Sequence, residues 1–162
     1  MNYKRKNIFS YFTNKKMNEI ENLINEFIQI CKQAQISLKE DDITLEVFHA
    51  NNKHLNSVNS LNGKMAIYIF YSIQTNEYLK IGKVGVKSNS RFTNQHYNPL
   101  SSKSNLAKSL IKNQISDFQN VEEWIRKNTN RYNIKINAKY GKFLLSFFET
   151  FLHLKLNPKF EG

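Results

Sequence analysis

One glutamate stands alone in the apolar C-terminal part of the sequence. Glu149 is the only acidic residue between Glu123 and Glu161, and it lies in segment 143–154, which would be apolar on nearly every side of a helix. A lone carboxylate in such surroundings is costly unless it is paired, protonated or bound to a cation. The alternative is a narrow polar stripe on that helix, formed with Lys142, Ser146 and His153. Glu149 is thus a candidate metal ligand, and a cation held by one carboxylate, water and phosphate would be Mg²⁺.

A second set of reactive side chains lies near the middle of the chain. Tyr68 and Lys80 fall on two adjacent strand-like runs, where a cross-strand pairing would bring the ammonium close to the phenol. An unperturbed tyrosine is a poor base at neutral pH, so a cationic neighbour is useful to it. Arg91 offers a phosphate clamp and His96 a titratable group. The alternative is that the aromatic residue packs in a sheet while the lysine faces water.

Positive charge is concentrated in the same part of the chain. The protein has 162 residues, with 24 Lys and Arg against 13 Asp and Glu, a net charge of +11. Residues 61–162 carry sixteen of the basic and six of the acidic side chains, net +10. This excess predicts binding of nucleic acid through phosphate contacts, against the alternative of a merely solvated surface. The candidate contact residues are Lys83, Lys87, Arg91, Lys103 and Lys108.

Several functional classes are excluded by what the sequence lacks. Cys31 is the only cysteine, so an intrachain disulfide and a thiolate zinc cluster are ruled out. There is no phosphate-binding GxxxxGK[ST], no GxGxxG and no HExxH motif. The longest apolar stretches, Met65–Tyr71 and Phe143–Phe148, are much shorter than the roughly 18–20 residues of a membrane span. Without an apolar leader segment, we expect a cytoplasmic protein with no membrane partner.

The elements that must position these residues follow from periodicity. Segment 14–35 has apolar residues at three-to-four spacing and predicts an amphipathic helix, a face through which two copies would pair. Segment 43–48 is strand-like, and the Asn- and Ser-rich connector 51–62 separates it from the rest. We therefore expect two domains, a helical N-terminal extension at 1–60 and a main domain at 64–162.

The main domain reads as strands followed by helices. Segments 65–73 and 78–84 predict a hairpin, and segment 132–137 a third strand. Helices are predicted at 91–97, 105–115, 121–127 and 143–156. The expected fold class is α+β, with a small three-stranded antiparallel sheet flanked by helices.

This pattern resembles the GIY-YIG nuclease superfamily over about residues 64–161. Its first signature corresponds to Ala66-Ile67-Tyr68 and its second to Lys80-Ile81-Gly82, followed by Lys83. Its helix arginine corresponds to Arg91 and its glutamate to Glu149. In excision-repair members, a proline, a basic residue and an aromatic residue follow the glutamate at the distances of Pro158, Lys159 and Phe160.

The resemblance implies a metal-dependent hydrolysis of DNA. Tyr68 would act as general base or orient water, assisted by Lys80 or Lys83. Arg91 would hold the scissile phosphate, and Glu149 would bind one Mg²⁺ or Mn²⁺ ion.

Four positions depart from the superfamily pattern. Ala66 replaces a glycine and Lys80 replaces a tyrosine, while Glu161 stands at an asparagine position. Four residues after Arg91, where many members have His or Tyr, the chain has Gln95, with His96 next to it.

We therefore expect a DNA endonuclease serving restriction, defence, mobile elements or repair. The alternative is a catalytically silent DNA- or RNA-binding module on the same scaffold, which the changes at Lys80 and Glu161 favour.

Overall fold

The chain divides into two compact units in a computed structural model. The structure describes residues 3–50, 61–88, 92–101 and 105–160, with side chains from residue 15 onward. The units are Met1–Asp41 and Asp42–Gly162. The boundary was predicted further along the chain, in the 51–62 connector. The observed division after Asp41 places strand segment 43–48 in the second unit.

The first unit is dominated by one long helix, α1, at Tyr3–Gln33. It contains most of the predicted 14–35 helix and begins earlier, because neither glycine nor proline interrupts the sequence before Gln33. Lys16 and Glu19 form an ion pair of 2.6 Å along its surface. The pairing of two copies through this helix stays a prediction.

The second unit is built on a four-stranded antiparallel sheet. Its strands are β1 (Ile43–Phe48), β2 (Lys64–Ser72), β3 (Glu77–Val84) and β4 (Thr129–Asn137), in the order β1-β4-β2-β3. The α+β class is confirmed. The prediction of three strands was wrong, because the 43–48 segment pairs along β4, from Ile43 opposite Ile136 to Phe48 opposite Arg131. It covers an edge of β4 that would otherwise be unpaired.

Three helices of the second unit match predicted segments. They are α2 (Leu106–Lys112), α3 (Val121–Asn128) and α4 (Gly141–Leu156). The predicted 91–97 helix is shorter: its described part is helical at Phe92 and Thr93 and continues as turns to Tyr97. Asn98-Pro99 follows directly, and a residue before proline is disfavoured in helical geometry. Within the described residues, no helix is both long and apolar enough to cross a membrane.

The two faces of the sheet are covered by different helices. We call one the Tyr68 face: Tyr68 and Phe70 belong there to a buried cluster with residues of the 92–97 turn, α2 and α3. We call the other the Lys83 face, where α4 packs against β3 and β2. Because both faces are covered, side chains of the central strands β2 and β4 are almost all buried, whatever their polarity.

Candidate functional site

The phenol of Tyr68 lies across a glycine of the edge strand. Tyr68 is in β2, is only 1% exposed and pairs directly with Gly82 of β3. A Cβ atom at Gly82 would lie 2.2 Å from the Tyr68 hydroxyl and 2.5 Å from its Cζ. Only glycine therefore leaves room for the ring, whose hydroxyl reaches the strand that forms this edge of the sheet.

Lys80 lies on the same face as Tyr68, but two residues along β3 from the position opposite it. The residue opposite Lys80 is Phe70, while Gly82 is opposite Tyr68. Lys80 is 7% exposed, and its amine donates a 3.2 Å hydrogen bond to the carbonyl oxygen of Phe160. The Lys80 amine thus helps to hold Phe160 beside β3.

The C-terminal tail, residues 157–160, runs beside β3. The backbone N–H groups of Lys159 and Phe160 donate to the carbonyls of Tyr78 and Leu79, at 2.8 and 2.9 Å. Lys159 also forms a 3.0 Å ion pair with Glu77. A hydrogen bond from Thr75, and then the Lys159 amine, hold the pKa of Glu77 below its usual value. The tail is therefore fixed to the strand that carries Lys80 and Gly82.

Glu149 is paired across two elements rather than alone. The amine of Lys83, on β3, donates to Oε2 of Glu149, on α4. The side chains are 38% and 19% exposed, so Glu149 is mostly buried and its burial is compensated by pairing, one of the three ways open to it. The polar stripe along the helix does not supply the ion-pair partner of Glu149. That partner is Lys83, which belongs to β3 and not to the helix.

The predicted residues thus approach β3 from both faces. Lys83 is opposite Ile67, and Gly82 is opposite Tyr68, so neighbouring residues of β3 serve opposite faces. Tyr68 and Lys80 come from one side and the Lys83–Glu149 pair from the other. The structure brings them to the same edge strand without placing them on one face.

His96 lies beside Tyr68. It is 1% exposed, and its ring centroid is 4.2 Å from that of Tyr68 and 5.5 Å from that of Phe70. The turn at 92–97 therefore places the His96 imidazole against the Tyr68 ring. Of the helix predicted there, the described residues keep Phe92 and Thr93.

The remaining predicted residues are surface groups or lie outside the described residues. Lys87 is exposed just after β3, and Lys108 is exposed on α2. Arg91, Lys103 and Glu161 fall outside the described ranges, so their predicted roles stay predictions.

Sequence reasoning missed a row of buried polar residues on β4. Arg131, Asn133 and Lys135 are 0%, 0% and 5% exposed, and all lie on the Tyr68 face. Lys135 forms a 2.6 Å ion pair with Glu46 of β1. Their alternation with Tyr132, Ile134 and Ile136 is typical of a strand with one face in water. The signal against that interpretation was the apolar side of the 105–115 segment, which needs a sheet face to cover.

Glu149, the predicted metal ligand, is a single carboxylate. Within the described ranges, no group of three or more His, Cys, Asp or Glu residues could hold a metal ion. Glu149 gives one oxygen to Lys83, and in that same part of the chain its Oε1 has no protein partner. Mg²⁺ usually keeps several waters and binds one or two carboxylates together with substrate phosphates. The partly exposed position of Glu149 suits that mode of binding.

Comparison of the chain with protein-family models, with curated proteins and with solved structures gives no match.

Proposed function

We propose that the second unit is a divalent-metal-dependent DNA endonuclease that hydrolyses phosphodiester bonds at the β3 edge of the sheet. The observation that carries the proposal is the arrangement around Gly82 and Lys83. The Tyr68 phenol lies over Gly82, and the next residue, Lys83, is paired with the partly exposed Glu149. The proposed base and the lysine–carboxylate pair thus approach two consecutive residues of β3 from opposite faces of the sheet.

Each of these groups has a defined task in the proposed reaction. The Tyr68 hydroxyl orients the attacking water and accepts its proton, which requires a cationic neighbour to favour the phenolate. The Lys83 amine turns from Glu149 to a phosphate oxygen when DNA binds. Glu149 holds the metal ion, which when bound supplies charge neutralisation at the phosphate and the leaving oxygen.

The charge of the chain supports a polyanionic substrate. Residues 61–162 carry the net +10 given above, and of the predicted contact residues Lys87 and Lys108 are exposed. Binding to DNA should therefore weaken steeply as salt is raised, because phosphate contacts release counterions.

The test is cleavage of supercoiled plasmid by the purified protein with Mg²⁺ or Mn²⁺. We expect nicking by the wild type and its loss in Tyr68→Phe and in Glu149→Gln. Glu123→Gln is the matched control, because Glu123 is an exposed carboxylate in a lysine pair on α3. Cleavage that survives both site substitutions would refute the assignment of these residues.

A second candidate is a catalytically silent DNA- or RNA-binding module on the same scaffold. The burial of Tyr68 and Lys80, at 1% and 7% exposure, favours it, as does the use of the Lys80 amine to hold the tail. This candidate predicts salt-sensitive binding without cleavage under any divalent cation. The same plasmid assay, run beside a filter-binding titration, separates the two.

A further inference from the structure

Arg131 is a cation enclosed entirely within the second unit. It lies on the central strand β4, opposite Phe70, and is 0% exposed. An arginine in such a position is costly unless its donors are satisfied, and truncating a buried charged partner is strongly destabilising. The contacts that compensate Arg131 therefore indicate its role.

The guanidinium is compensated by neutral groups. Its Nε donates to Asn133 Oδ1 at 2.9 Å, one terminal nitrogen to the Phe92 carbonyl at 2.5 Å, and the other to the Tyr97 hydroxyl at 3.3 Å. Its Cζ lies 4.9 Å from the ring centroid of Phe92 and 5.2 Å from that of Phe70. Across the described parts of the chain, no carboxylate forms an ion pair with Arg131.

Two of these contacts grip the 92–97 turn near its two ends. Phe92 and Tyr97 bracket the turn, and His96 lies between them with its ring 4.2 Å from that of Tyr68. A planar guanidinium can satisfy acceptors in several fixed directions, whereas an ammonium acts as a compact point charge. The fork of Arg131 thus joins β4 to both ends of the 92–97 turn.

We infer that Arg131 is a positioning residue that fixes the 92–97 turn over Tyr68 and so sets the geometry of the His96–Tyr68 pair. The inference rests on the proposed function for its catalytic consequence, since Tyr68 is the proposed base. Its structural part, the placement of His96, can be measured without any cleavage.

The test uses Arg131→Lys, which keeps the charge and loses the fork, and Tyr97→Phe, which removes one acceptor and keeps the ring. Tyr71→Phe is the matched control, because its hydroxyl donates to Asn76, away from the turn. The first readout is the NMR position of the His96 imidazole resonances, assigned with His96→Gln. The second is kcat and KM for plasmid nicking.

We expect Arg131→Lys to move the His96 resonances and lower kcat about 100-fold with KM for DNA unchanged, the effect of a misplacement of about 1 Å. Tyr97→Phe should cause a smaller movement and Tyr71→Phe none. If Arg131→Lys does not fold, Tyr97→Phe carries the test. His96 resonances at wild-type positions in the folded variants would overturn the inference. If the variants move the His96 resonances as expected but the wild type never cleaves plasmid, only the proposed function is refuted.

Discussion

Alanine at position 82 would force the phenol of Tyr68 out of its place. The added Cβ would lie 2.2 Å from the hydroxyl oxygen, 2.5 Å from Cζ and 2.9 Å from Cε2. Restoring an ordinary contact of 3.4 Å from the hydroxyl requires a displacement of about 1.2 Å. The ring is rigid and 1% exposed, so the neighbouring core must yield as well.

Two magnitudes follow from that displacement. Overpacking of a well-packed core costs about 1–3 kcal/mol of unfolding free energy. A misplacement of about 1 Å at a catalytic group can cost about 100-fold in rate. We therefore expect Gly82→Ala to be folded but less stable, and to nick plasmid at about one hundredth of the wild-type rate.

The assays are urea unfolding and the initial rate of plasmid nicking. Gly85→Ala is the control, since nothing lies within 4 Å of a Cβ there. In a Tyr68→Leu background the same Gly82→Ala change should cost no stability, because the phenol that it strikes is gone. A stable Gly82→Ala protein with wild-type nicking would refute the reasoning.

Three further predictions concern the scaffold. Asn105→Ala should lower the free energy of unfolding in urea by about 1–2 kcal/mol, because this buried side chain caps α2. Asn120→Ala should lower it by about 0.5 kcal/mol or less, because Asn120 stands at a helix start without a side-chain cap bond. Lys135→Met should lower the free energy of unfolding by about 3 kcal/mol, because it leaves the Glu46 carboxylate without its ion-pair partner. Oε2 of Glu46 already lacks a hydrogen-bond partner in the described residues. The pKa of Glu77 is lowered in the folded protein from its ordinary value of 4.5, so its ion pair with Lys159 of the tail is complete above pH 4.5. The ion pair is lost as the pH falls through the pKa of Glu77 in the folded protein, and hydrogen exchange of the tail amides will measure that loss.

Each has an outcome that contradicts it. Equal losses at the two asparagines would mean that capping is not the cause. If Glu46→Leu added to Lys135→Met restores no stability, the stranded carboxylate is not the reason for the loss. Tail exchange that keeps the same acid dependence in Glu77→Gln would assign the effect to another group.

Periodicity and turn chemistry were sufficient to predict most elements of the second unit. Two strands of the hairpin, the last strand and three helices lie where alternation and three-to-four spacing indicate them. These signals are local, because the spacing of apolar residues along one element shows which side of that element is buried. Alternation also places Lys80 and Gly82 on one face of β3, whereas the register of the hairpin decides that Tyr68 shares this face.

Long-range pairing was beyond those signals. The 43–48 run alternates like a strand, but only the tertiary fold gives it β4 as a partner more than 80 residues away. The same fold covers the polar side of β4, so that Arg131 and Lys135 are buried.

The sequence by itself determined the residue types that can do chemistry, the net positive charge, and the local elements that carry both. The tertiary structure decided which residues meet: Glu149 with Lys83, and Tyr68 with Gly82 and His96. The physical reason is that a side chain's spacing along one element fixes its direction, whereas its partner depends on strand register and on which helix covers the face.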